Sequence, residues 1–468
     1  MKWIYDHLLY VLVGGISLFT LVSHSSAFYA PSISLFVFLV STLVLVCVPF
    51  LKLNRRDFHW PVLVVVGFWA WSLISGFFGN EFGLSMVGFF GRGTSVFFSL
   101  ICMLAFLLVA QSGFLLARKV LVLLPLLGGI MGLLGVGEWL GVLQFSPDPS
   151  RLYGIPRNPI FLANMLTVTL AFTLYYYFSR KITHKAWLLV SAFLQVFTLF
   201  FTLTRGTLIG LAIALAVWFV VYMHRKLKFG IATRSWVIPV AAVLLLLVVG
   251  YAARGTTIHR LTTVSDTSAQ TRLITWISSL PGFLENPVLG VGPENFYVIS
   301  AKYFDPRQYQ YSESGFFDKP HNQFLQVLVE QGGVGFVLYV LIVFSVYRML
   351  FLARKRERLT SNQFWSLAAC VAAYYSTLFF AFESPQALIL FFLLIGFLYI
   401  LAFADVNEQA KFKLSTSTIV TAVCAAVLWY FVPLHGISLA RSAGLALSAS
   451  PQSHISGDAA EKFLRNLR

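Results

Sequence analysis

Residues 385–404 read PQALILFFLLIGFLYILAFA, twenty positions without a charge. That is the length an α-helix needs to cross the hydrocarbon core of a bilayer, where only a helix or a closed barrel can satisfy its own backbone. Runs of this kind recur from one end of the chain to the other. We read about thirteen spans, at roughly 4–22, 31–51, 60–79, 94–112, 120–143, 158–178, 186–204, 206–223, 235–253, 331–352, 363–382, 385–404 and 415–433. Composition agrees. Of 468 residues, 58% are hydrophobic and 11% charged. A soluble domain carries about 25% charged residues, and this chain has too few polar groups to cover its apolar side chains. The expected fold is all-α, a polytopic transmembrane bundle of about 12–13 helices with one long extracytoplasmic loop.

The formal charge is +16, from 34 Lys and Arg against 18 Asp and Glu. The basic residues sit in short clusters between apolar runs, which points to membrane topology and away from nucleic acid. With a cytoplasmic N-terminus, every dense cluster falls inside, including Lys52/Arg55/Arg56, Arg225/Lys226/Lys228 and Arg354/Lys355/Arg356/Arg358. The C-terminus then lies outside. The organisation expected is residues 1–253 as helices 1 to 9, 254–330 as a long outer loop carrying the site, 331–433 as helices 10 to 13, and 434–468 as a short outer tail. Without a small-x-small cleavage site after the first apolar run, helix 1 is its own targeting signal. Cys47, Cys102, Cys370 and Cys424 lie in separate apolar runs, as small core residues do.

A loop of the length of 254–330 is usually functional. It holds two segments of helical character, 271–283 and 294–303, around the Gly/Pro-punctuated stretch ENPVLGVGPENF. Arg205 stands between two apolar runs, at an outer end where an ionisable residue tends to mark a ligand site. Arg272 opens an amphipathic helix with Leu273, Trp276, Ile277 and Leu280 at i, i+3, i+4 and i+7, a face suited to lying on the bundle or the bilayer surface. A guanidinium held there offers a planar fork of donors for phosphate. His321 follows Pro320 where the loop gives way to a helix, and Asn322, Gln326 and Glu330 continue at steps of four as a polar stripe. A histidine so placed suits a general base near neutral pH. The outer carboxylates Asp266, Glu285, Glu294, Asp305, Glu313 and Asp318 form no D-x-D motif or close pair, and Arg307 and Lys319 follow Asp305 and Asp318 as surface counter-charges, so no metal site is expected.

These elements, together with FGRGTSVFF (90–98), RLYGIPRNPIFLANML (151–166) and above all PHNQFLQVLVEQGGVG (320–335), resemble the O-antigen ligase and polymerase superfamily of bacterial polysaccharide assembly. The resemblance runs from about Gly79 to Phe336. It implies a metal-independent, cofactor-free, inverting glycosyltransferase of the GT-C type in the bacterial inner membrane, working at its periplasmic face. The donor implied is a glycan on undecaprenyl diphosphate; the acceptor is lipid A–core or another glycan. By matching motif His321 would activate the acceptor hydroxyl and Arg205 and Arg272 would hold the diphosphate, with Asn322, Arg157, Arg92 and Glu138 as possible supporting residues. Ligase is the reading preferred. The alternative within the superfamily is an O-antigen or exopolysaccharide polymerase; a lipid-linked oligosaccharide flippase is the alternative of another class, and it predicts repeated halves and charges buried mid-span, with Glu138 the main mid-span charge here.

Overall fold

The computed structural model describes residues 2–22, 29–48, 59–89, 92–146, 150–179, 185–213, 267–311 and 317–404. All of these belong to the unit spanning 1–413, and a second unit, 414–468, lies outside them. So do the expected spans at 235–253 and 415–433, most of 206–223, and the tail.

Among the described residues every regular element is helical. The helices are α1 (Lys2–Val22), α2 (Tyr29–Cys47), α3 (Trp60–Phe77), α4 (Phe82–Val87), α5 (Val96–Gln111), α6 (Phe114–Val120), α7 (Leu123–Trp139), α8 (Pro159–Tyr177), α9 (Ala186–Phe201) and α10 (205–213), then α11 (Thr267–Glu285), α12 (Phe296–Lys302), α13 (Gln323–Lys355), α14 (Ser361–Leu378) and α15 (Pro385–Phe403). Five segments are long and apolar enough to cross a membrane: α3, α6 with α7, α8, α13 and α15. Four shorter apolar helices, Leu9–Leu21, Ile33–Cys47, Val96–Gln111 and Ala186–Phe201, fall where further spans are expected. The chain is a polytopic helical membrane protein.

Local chemistry places the helix starts. Pro61, Pro159 and Pro385 occupy the first turns of α3, α8 and α15, where a missing N–H costs nothing. Ser95, Asn158, Asn322, Thr360 and Ser384 accept first-turn N–H groups of α5, α8, α13, α14 and α15. α15 is the central post, buried almost along its whole length against α5, α8 and α13.

The two ends of the bundle differ. At one, Arg118 donates to Ser179 Oγ, Arg354 to Leu359 O, Arg356 to Phe403 O and Arg358 to Ala404 O, so basic side chains seal helix C-termini where carbonyls point out. At the other lie the starts of α5, α8, α13 and α15 and the ends of α3, α7, α9 and α14.

One boundary departs from expectation. The helix expected to begin at 331 begins at Gln323 and is broken at Gly332, with φ 67° and ψ −173°. A Cβ there would lie 2.1 Å from Val288 O, so only glycine fits. The break frees carbonyls that the 287–292 loop and α3 satisfy. Val291 N donates to Val329 O (3.2 Å), Gly292 N to Glu330 O (2.8 Å), Ser75 Oγ to Glu330 O (3.1 Å) and Trp71 Nε1 to Gln331 O (2.9 Å).

α11 covers the expected helix at Arg272 and turns its apolar side outward. Thr271, Thr275 and Ser279 are buried, whereas Leu273, Ile277, Leu280 and Leu284 are exposed. Such a face on a membrane protein suits the bilayer interface. In lipid vesicles, a nitroxide at Ile277 or Leu284 is expected to be more accessible to oxygen than to a water-soluble nickel chelate, with the reverse at Lys302. Equal preference for the chelate at all three positions would place α11 in water.

Candidate active site

Phe382, in the turn between α14 and α15, is the hub of the end opposite the basic clusters. Its ring lies 5.1 Å from that of His321 and 5.7 Å from that of Phe161 at the start of α8, and the Arg92 guanidinium sits 4.8 Å over its face. Arg92 also grips Asp318 through Nε (2.5 Å) and Nη2 (2.8 Å). Burial alone would raise the Asp318 carboxyl, but the Arg92 hydrogen bonds and charge hold it below the usual carboxylate range. Asp318 thus pairs with Arg92 inside the site and is not a surface acid neutralised by Lys319. Asp305 does pair with its neighbour Arg307, at 2.6 Å.

Lys319 points the other way. It is 1% exposed, 2.5 Å from Glu294 and 3.9 Å from Glu330. Burial would push its ammonium down, yet the surrounding charges, led by the Glu294 carboxylate that it touches, more than offset this and hold it up. Glu294 in turn accepts from Thr94 Oγ1 at 2.9 Å. Two carboxyls far apart in sequence, Glu294 and Glu330, therefore lie beside one lysine, a pair that spacing along the chain did not reveal.

His321 is fixed between these two ion pairs. Its φ is +54°, and Arg157, Leu203 and Glu294 at the same end are also in the left-handed region, at 50°, 51° and 66°. Four non-glycine residues in that region mark strain held by the surrounding contacts. His321 Nδ1 is 3.2 Å from Lys319 O. A carbonyl only accepts, so Nδ1 carries the proton and Nε2 keeps its lone pair. Burial, then the nearby Arg272 charge, lowers the imidazole to about 4. It is neutral at physiological pH.

Arg272 acts on His321 through its charge, and its helix is tied to the same loop because Trp276 Nε1, one turn on, donates to Pro320 O at 2.7 Å. Arg205 opens α10. The next residue, Gly206, accepts from Ser376 Oγ at 2.8 Å and packs beside Phe380, whose ring lies 6.5 Å from that of Trp276. Arg157 belongs to the turn before α8; Thr204 Oγ1 reaches Pro159 O at 3.3 Å, joining that turn to the approach of Arg205. The Arg157 Nε is buried without a hydrogen-bond partner. The fold thus brings Arg92, Arg157, Arg205, Arg272 and His321 to one end of the bundle, with Arg92 and His321 against the Phe382 ring.

Asn322 is the N-cap of α13, accepting from Leu325 N at 3.1 Å. Glu138 is next to last in α7, at a helix end and not mid-span, and accepts from Tyr153 N and Gly154 N at 3.1 and 2.9 Å, anchoring the 150–158 turn. Glu383, which sequence reading missed, follows the hub. Its carboxyl accepts from Tyr374 Oη at 2.6 Å, and burial pushes it up to about 8. A lone acid in an apolar run, FESPQ, was the available signal.

Residues 190–340, the stretch that holds Arg205, Arg272 and His321, match the protein-family model described as O-Antigen ligase. No curated protein gives a significant match to the chain.

Because the folded histidine resists protonation and the unfolded one does not, its contribution to stability is full above pH 6.5 and is lost as pH falls toward about 4. A His321→Gln variant is expected to flatten that part of the melting-temperature profile; an unchanged profile would show that His321 is solvated. Lys319→Met leaves the buried Glu294 carboxylate without its cation and is expected to cost about 3–5 kcal/mol, read as a lowered melting temperature in detergent. The match over 190–340 supports the O-antigen ligase/polymerase superfamily, with its glycosyltransferase-like activity on lipid-linked glycans, as the family to which this chain is similar.

Proposed function

We propose that the protein is an O-antigen ligase that transfers a glycan from undecaprenyl diphosphate to a hydroxyl of lipid A–core. The observation that carries this reading is the cluster around Phe382, a neutral histidine with a free Nε2 lone pair in the charge field of Arg272, beside Arg92 and the approaches of Arg205 and Arg157. The positive-inside rule supports a periplasmic position for this end, since Arg118, Arg354, Arg356 and Arg358 lie at the other.

In the proposed reaction the diphosphate lies among Arg205, Arg272 and Arg157, while its polyprenyl chain stays in the bilayer. The acceptor oxygen attacks the anomeric carbon from the side opposite the diphosphate and gives its proton to His321 Nε2. The bond from that carbon to the diphosphate oxygen breaks, its electron pair leaves with the diphosphate, and the configuration inverts. Guanidiniums aimed at the departing oxygens stabilise charge where it develops. The low affinity of the resting imidazole for a proton fits this order, because an arriving dianion among the arginines raises it and strengthens the base once donor is bound. With arginines in the role of a divalent cation, transfer is expected to persist in excess EDTA.

The test is turnover by purified protein in nanodiscs, supplied with a lipid-linked glycan and lipid A–core. Glycosylated lipid A–core is the expected product; elongated lipid-linked glycan would make the protein a polymerase, and transfer to neither would overturn the reading. His321→Ala is expected to lose 10²–10⁴-fold in rate with donor binding retained. Arg272→Lys is expected to weaken donor binding, since an ammonium lacks the bidentate fork. Labelling of a cysteine at Tyr309 from outside, with none at Lys355, checks the orientation.

A further inference from the structure

Gln326 and Glu330 stand one turn apart on the buried side of α13. With Tyr339 they line a cavity of about 100 Å³ that reaches Lys319, Glu383 and Phe382. Gln326 Nε2 donates to Glu330 Oε2 at 3.1 Å. The two remaining atoms of the pair, Gln326 Oε1 and Glu330 Oε1, are buried without a hydrogen-bond partner, as is Tyr339 Oη. Gln326 and Glu330 are 4% and 2% exposed, so water outside the bundle satisfies neither.

An amide oxygen and an ionised carboxylate oxygen are acceptors only, and two such groups facing one cavity leave both unsatisfied. A single proton on Glu330 Oε1 resolves both. The acid O–H then has the partnerless Gln326 Oε1, on the same side chain whose Nε2 donates to Glu330 Oε2, as an acceptor one helical turn away.

The cavity wall carries three carboxyls, Glu294, Glu330 and Glu383, and one cation, Lys319. The Lys319 ammonium is 2.5 Å from Glu294 but 3.9 Å from Glu330, so its charge is committed to the former. Arg92, the next cation, is committed to Asp318. A second ionised carboxylate over the same lysine, inside a low-dielectric bundle, is disfavoured by desolvation and by Glu294 alike.

We propose that Glu330 carries a proton in the resting protein, and that the Gln326–Glu330 pair is a proton-binding site in the cavity wall beneath the active-site end. The groups that face it are Lys319, Glu294, Glu383 and Tyr339. Raising the pH strips this proton, leaving a second carboxylate near Lys319 and Glu294 and a cavity wall with acceptors left unsatisfied. The proposal does not depend on glycosyl transfer.

Infrared spectroscopy of the full chain in lipid tests it. At neutral pH the wild type is expected to show a carboxylic-acid C=O band that Glu330→Gln lacks, and that band is expected to fade as the pH is raised. Glu330→Gln replaces the acid O–H with an amide N–H, so it is expected to keep the wild-type melting temperature at neutral pH and to lose the alkaline decline, whereas Glu330→Ala melts lower at both. Gln326→Leu removes the partner oxygen and is expected to shift the Glu330 band to higher frequency. An identical band in wild type and Glu330→Gln, or no shift in Gln326→Leu, overturns the proposal. Failure of Glu330→Gln to fold also overturns it, because an amide can stand in for a protonated acid but not for a carboxylate.

Discussion

The break of α13 at Gly332 is the constraint from which the rest of the site follows. A helix interrupted inside an apolar bundle exposes carbonyls that lipid cannot satisfy, so something polar must be brought to them. The 287–292 loop and the end of α3 do this, with backbone N–H groups of Val291 and Gly292 and the side chains of Ser75 and Trp71. Docking the loop carries Glu294 to Lys319, and Gly290, at φ 72°, lets the backbone pass against the Glu330 carbonyl. The short helical piece of 323–331 is thereby held as a separate unit below His321, with its polar stripe facing inward.

Two ion pairs then flank the histidine and divide the work between them. Arg92 and Asp318 pin one side, while Lys319 with Glu294 pins the other and sends the lysine away from the imidazole. His321 is left with one committed nitrogen and one open one, in a backbone conformation that a relaxed loop would abandon. A base whose proton affinity depends on the charge of an arriving ligand is quiet when that ligand is absent. The same economy of charge applies in the cavity below, where more carboxyls than cations face each other.

The all-helical membrane architecture was legible because it rests on local properties, runs of about twenty apolar residues separated by short polar segments and one long polar interruption. The helices at 267–285 and 296–302 were legible for the same reason. The partners were not. Asp318 and Lys319 are adjacent in sequence and invite reading as one charge pair, yet their neighbours Arg92 and Glu294 come from elsewhere in the chain. Glu138, conspicuous as an acid in an apolar run, proves to hold the 150–158 turn through its backbone N–H groups.

The sequence by itself determined what kind of solvent this chain lives in and which end of its helices collects basic charge, because hydrophobic length and Lys/Arg clustering are properties of short segments. It also determined that a histidine and several arginines stand at loop-to-helix junctions. Only the tertiary structure decided that Arg92 and His321 meet at Phe382, that α13 begins eight residues earlier than its apolar run and breaks at Gly332, and which acid neutralises which base. Those outcomes depend on contacts between segments up to some 290 residues apart, from Arg92 and Phe161 to Phe382. In a bundle, such contacts are set by how helices of similar composition pack, and the pattern of apolar residues along each one does not say which neighbour it faces.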